Sequence, residues 1–244
     1  MRKAFVMMKL KTKMLMTNTS ALTGPLMAVG ITILMRVLYG TMATDPEMLD
    51  YMFGMALSMG VSMNIGMGAV MMTALPLAEE KEKNTLRTLM TSSVNAKHFF
   101  IGSLLPPFLV TVAVNFLLVF VSGINIANIN FIMFTALTVV ASLISCVVGL
   151  VVGIYSKSQV NANNIMMPIT LILAMLPTFS VFNESMATAS RFIYTGMLSD
   201  MLKAFNLGEA YSLELVQIGV LIACTVISIG LFIYFYKKNG MESD

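Results

Sequence analysis

Six long apolar blocks, at residues 21–39, 51–77, 99–121, 131–155, 165–182 and 215–236, constrain this chain more than any other feature, each running 18 to 27 residues. About 20 apolar residues in a helix cross the roughly 30 Å of bilayer hydrocarbon. The blocks are apolar on every face instead of at a helical or strand period, so they read as spanning helices and not as half-buried elements of a water-soluble domain. Barrel strands would show about ten residues of alternating polarity, and a backbone in lipid must satisfy its own polar groups, which leaves the helix as the spanning form. Composition agrees: 11% of residues are charged and mean hydropathy is +0.84, against about 25% charged in soluble domains. The expected fold is an all-α membrane protein with six transmembrane helices in a single domain, residues 1–244, without internal repeats.

The basic residues set the orientation. Arg2, Lys3, Lys9, Lys11, Lys13, Lys81, Lys83, Arg87, Lys97, Lys157, Lys237 and Lys238 fall on one side of the predicted bundle. The other side has Arg36, Arg191 and Lys203 among the acidic residues Asp45, Glu47, Asp50, Glu184, Asp200, Glu209 and Glu214. Positive loops stay inside, so the first side, with both termini, is expected to be cytoplasmic. The net charge of +3 is no nucleic-acid footprint.

Residues 1–17 mix five bases with Phe5, Val6, Met7, Met8, Leu10, Met14, Leu15 and Met16, as suits a helix lying at the headgroup plane. The following apolar block is too long for a signal peptide and lacks a small-x-small cleavage site, so it reads as a retained anchor. Between the fifth and sixth blocks, Tyr194, Leu198, Met201 and Phe205 are spaced for short interfacial or re-entrant helices on the outer face. Gly196 and Gly208 are the expected breaks, and Ser212 is the expected cap of the last span. Asn161, Asn163 and Asn164 suit capping at the start of the fifth span, where Pro168 and Pro177 are expected to kink the helix. Cys146 and Cys224 lie inside apolar blocks with no disulfide or metal spacing and read as small buried side chains.

The most informative polar stretch is 79–94, Glu-Glu-Lys-Glu-Lys-Asn-Thr-Leu-Arg-Thr-Leu-Met-Thr-Ser-Ser-Val, on the cytoplasmic side between the second and third spans. Asn84 or Thr85 can cap a short helix whose Leu86, Leu89 and Met90 share one face. Here the sequence resembles the membrane subunits of type-2 ABC exporters, whose pattern runs approximately Glu-x-Glu-x-Gly-Thr-Leu-x-x-Leu-x-x-Ser-Pro. Glu80, Glu82, Thr85, Leu86, Leu89 and Ser92 match, whereas Asn84 stands in place of Gly and Ser93 in place of Pro. Asn is the non-glycine residue that best tolerates a left-handed backbone, so the first departure is mild.

The resemblance implies that 79–94 is a coupling helix, with Glu80, Glu82, Asn84, Thr85, Leu86, Leu89 and Met90 as the coupling residues, seated on a cytoplasmic ATPase. It further implies a permease subunit in a bacterial cell membrane, working with a second permease chain, identical or related, and two ATPase copies, and exporting a hydrophobic or amphipathic peptide, drug or lipid-like substrate. The sequence contains no Gly-x-x-x-x-Gly-Lys-Ser/Thr phosphate loop, so ATP and magnesium are expected in the partner ATPase and no cofactor or metal in this chain.

The second block holds two rows of small residues at every fourth position, Gly54, Ser58, Ser62, Gly66 and Ala56, Gly60, Asn64, Gly68, which permit close helix approach. Each row drifts about 40° per step, so it spirals around the helix. Met55, Met59, Met63, Met67 and Met71 recur alongside; flexible thioethers suit either a pathway for apolar cargo or ordinary packing. The candidate pathway residues are Ser58, Ser62, Asn64 and Asn115, polar groups within spans that need a partner helix or a wet cavity. A copper route needs Cys or His support, which a lone His98 at a helix end does not supply. The alternative is an ion-coupled transporter or channel, which usually carries charge near the midplane, whereas these spans contain only Arg36, near an end. An intramembrane protease of the Glu-Glu-x-x-x-Arg type fails on Asn84, which stands where Arg is required, and on the lack of a histidine pair.

Overall fold

Short polar residues between the apolar blocks cap the starts of several helices. The computed structural model describes residues 2–85, 96–180 and 183–239. Helix α1 (Arg2–Thr17) is separated from α2 (Thr19–Met42) by Asn18 alone, whose side-chain oxygen accepts a hydrogen bond from the Ala21 amide at 2.8 Å. Asp45 caps α3 (Pro46–Met63) through the Met48 amide, with Pro46 in the first turn, where its missing donor costs nothing. A π-helical turn, Asn64–Gly68, joins α3 to α4 (Ala69–Glu82). Then come α5 (Ala96–Ser122), a 3-10 turn (Ile126–Asn128), α6 (Phe131–Tyr155, capped by Asn130), α7 (Gln159–Phe179, capped by Ser158), α8 (Glu184–Ser190), α9 (Tyr194–Asn206) and α10 (Leu215–Asn239). Among the described residues 88% are helical and no strand occurs.

Among the described residues, six helices are long and apolar enough to cross a membrane: α2, the continuous α3–π–α4 unit, α5, α6, α7 and α10. The second is longer than the block read from sequence, spanning Pro46–Glu82. The fifth begins at Gln159: the Ser158 hydroxyl accepts from the Asn161 amide at 3.2 Å, and Asn161 Oδ1 accepts in turn from the Lys157 amide at 3.3 Å. Its expected last residue, Phe182, lies outside the described residues. Pro168 and Pro177 both sit inside α7.

Two local expectations between the fifth and sixth spans need correction. Gly196 does not break a helix; it lies in the first turn of α9, where a Cβ would collide with the Ser190 carbonyl, and the break falls just before Tyr194. Ser212 does not cap the last span. Gln217 reaches back to accept from the Glu214 amide at 3.0 Å, and α10 starts at Leu215. Gly208, with φ +68°, does follow the end of α9.

The α3–π–α4 unit is the hub of the bundle: 89% of its most apolar stretch is buried, against 11% for α10, which leans mainly on α6. Helix α4 packs along α6, while α3 packs on α2 and α9. At the crossing with α2 the two backbones nearly touch, since a Cβ on Gly24 would lie 2.7 Å from the Gly68 Cα. Helix α9 is too short to span, yet Tyr194, Met197, Leu198, Met201, Leu202 and Phe205 are all in the core. It enters the bundle from one end and docks against α3, α6, α7 and α10.

Candidate functional site

Two polar assemblies stand out in this apolar bundle. The first ties together the end of α4. Glu80 is 1% exposed and Lys11, from α1, 7% exposed; the Lys11 ammonium donates to both carboxylate oxygens at 2.5 Å. It also sits 4.6 Å from the centre of the Phe99 ring at the start of α5. Burial pulls the Lys11 ammonium below its ordinary value, and the charge and hydrogen bonds of Glu80 oppose that pull. Around the pair, Glu79 accepts from Asn18 Nδ2 (2.5 Å), Gln159 Nε2 (3.1 Å) and Lys83 Nζ (2.5 Å). Its hydrogen bond raises the pKa of the solvent-facing Lys83. Glu82 accepts from the Gln159 amide at 3.0 Å, and the Lys81 ammonium donates to the Ile154 carbonyl at 2.8 Å.

The last two turns of α4 are thereby fastened to α1, α6 and α7. Immediately beyond, Asn84 has φ +56°, the left-handed conformation of a glycine-type helix stop, and the Thr85 hydroxyl donates back to the Glu80 carbonyl at 3.1 Å. Asn84 therefore ends α4 and turns the chain into the next segment. Leu86, Leu89 and Met90, with the rest of the amphipathic face read from sequence, lie outside the described residues.

The second assembly crosses the middle of the bundle. Asn64, at the start of the π turn, donates through Nδ2 to Asn115 Oδ1 (2.8 Å) and to the Thr111 carbonyl (3.0 Å). Asn115 Nδ2 in turn donates to Ser142 Oγ at 3.3 Å, so one amide chain links the central unit to α5 and α6. Such interhelical bonds contribute about 0.6 kcal/mol on average in membrane bundles. Ser58 pairs with Ser199 of α9, hydroxyl to hydroxyl, at 3.1 Å, and Ser62 is buried on the same helix.

All four sequence-selected pathway residues are thus enclosed within this chain, and each row of small residues meets more than one neighbouring helix. Gly54 and Ser58 receive α9, Gly60 and Gly68 receive α2, and Gly66 faces the backbone of α7 at Leu173. Met63 and Met71 are core residues; Met55, Met59 and Met67 are partly buried. Arg36 donates to the Val121 carbonyl at 3.0 Å, at the C-terminal end of α5.

Sequence reasoning missed Lys11, Asn18, Glu79 and Gln159 as members of the first assembly. For Lys11 a signal existed: it falls midway between Met7 and Leu15 on one face of α1, and both are buried. A cation set into an apolar stripe needs a buried partner. The contacts of Asn18 and Gln159 depend on how α1 and α7 pack, which periodicity does not carry.

The six apolar helices and the polar groups bonded between them define a multi-pass integral membrane protein. Its class of work follows from comparison with known families: the family model described as ABC-2 family transporter protein matches residues 13–234, nearly the whole chain. The chain therefore belongs to that family and is a permease component of an ABC transporter. It is a transmembrane transport subunit, and permeases of this family generally work with a cytoplasmic ABC ATPase. None of the curated proteins compared matches the chain.

Proposed function

We propose that this chain is the membrane half of an ATP-driven exporter in a bacterial plasma membrane, with both termini in the cytoplasm. In this reading it pairs with itself or with a related permease and with two ATPase copies, which hold the ATP and magnesium. The segment 79–94 is the coupling helix: Leu86, Leu89 and Met90 sit on the ATPase, and Glu80, Glu82, Asn84 and Thr85 root them in the bundle. The observation that supports it best is the fastening of α4 to α1, α6 and α7 directly before Asn84. A lever transmits force only if its base is stiff, and these bonds stiffen the base.

The cargo is a hydrophobic or amphipathic peptide, drug or lipid-like molecule, in keeping with the apolar, methionine-rich interior. Ser58, Ser62, Asn64 and Asn115 are buried in the present packing, so they meet cargo only when α3 parts from α5 and α9 during the cycle. The test replaces Leu86 and Leu89 together by Asp. The variant should insert normally but lose the co-purifying ATPase, and undiminished ATPase recovery would count decisively against the docking role.

A further inference from the structure

The Lys11 side chain touches both stems of the segment that the proposed function assigns to coupling. Its ammonium is bonded to Glu80 near the end of α4 and lies 4.6 Å from the ring of Phe99 near the start of α5. Those two helices flank residues 86–95. Both side chains are sealed from solvent, Phe99 at 2% and Glu80 at 1% exposure, so the contact is a fixed joint instead of a passing surface pair. The rest of the inner face of α1 is equally committed: Met7 and Leu15 are buried, and a Cβ on Gly102 of α5 would meet Met7 Cγ at 2.8 Å. The outer face, with Val6, Lys9, Leu10, Lys13 and Met16, is exposed.

Only Asn18 separates α1 from the first span, and its amide is itself bonded to Glu79. We infer that Lys11 is a positioning residue that clamps the two stems of the coupling segment together, so that the amphipathic amino-terminal helix moves with that segment as one body and passes its motion into α2. This rests on the coupling reading above. It adds a second output for the force: besides pushing the central α3–π–α4 unit, the segment turns α1 and, through the Asn18 joint, the first span. Lys9 and Lys13 on the exposed face would then carry the movement along the headgroup plane.

The test is a distance measurement in the complex with its ATPase, reconstituted in bilayers. Spin labels go on Lys9→Cys and Lys83→Cys, both exposed, in a background lacking Cys146 and Cys224. The label separation should be narrow and unchanged between the nucleotide-free state and the state trapped with ATP and vanadate. In Lys11→Met or Glu80→Gln the distribution should widen about twofold, and the exchange Lys11→Glu with Glu80→Lys should narrow it again, which a role in bulk packing alone would not produce.

If either single variant fails to assemble, Lys11→Met combined with Glu80→Leu removes the pair without stranding a charge and should show the same widening. A wild-type separation that shifts with nucleotide, or a distribution unaltered by losing the pair, overturns the clamp. If instead no ATPase accompanies the wild-type chain, the coupling reading falls and the clamp with it; an ATPase that stays bound while the distances disagree removes the clamp alone.

Discussion

A lysine and a glutamate shut away from water make opposite demands on a chain: each charge is costly to bury alone, yet together they hold two helices in one register. Lys11 and Glu80 meet this condition with both carboxylate oxygens engaged. The expected thermodynamic signature is asymmetric. Lys11→Met alone should destabilise the protein by roughly 3 kcal/mol, because Glu80 is left buried without its cation. The double replacement with Glu80→Leu should lie within about 1 kcal/mol of the wild type. Denaturation in mixed micelles, followed by circular dichroism, measures both, and equal losses in the two variants would mean that the pair itself stabilises the fold. Asn64 and Asn115 obey the same rule at lower stakes: neutral amides in a dry interior need partners, so Asn64 donates to the Asn115 side-chain oxygen and Asn115 donates onward to Ser142.

The element that departs most from regularity is the second span. A π turn places one extra residue in the helical ladder, and here it sits where Gly66 and Gly68 admit α7 and α2 to backbone contact while Asn64 is turned toward α5. Small residues were visible in the sequence, but their partners were not, because a spiral of glycines fits several neighbours equally well. One partner is α9, whose Asn206 side chain lies where a Gly54 side chain would be. Gly54→Leu should therefore push α9 out of the bundle. A cysteine at Met201, now fully buried, should go from unreactive to readily labelled by a thiol reagent in that variant, with Cys146 and Cys224 removed. Unchanged protection of position 201 would show that α9 docks without needing the gap at Gly54.

At the scale of the whole molecule, topology and assembly decide function. The proposed orientation puts Thr88 in the cytoplasm, so Thr88→Cys should resist membrane-impermeant thiol reagents added to intact cells and react once the cells are opened; labelling from outside would invert the bundle. The all-helical class and the six spans were legible in the sequence, since length, apolarity and the need to satisfy a backbone in lipid leave few other solutions. The left-handed tolerance of Asn84 was also legible, because it is a property of one residue's own backbone. What the linear chain did not disclose was pairing. That Lys11 turns inward to Glu80, that α9 burrows between α3 and α7, and that Ser58 and Asn64 face helices inside the same chain follow from which surfaces meet. Lipid removes the usual sorting of polar outside from apolar inside, so an apolar face in this chain does not announce whether it meets a neighbouring helix or the bilayer; only the tertiary packing decided that.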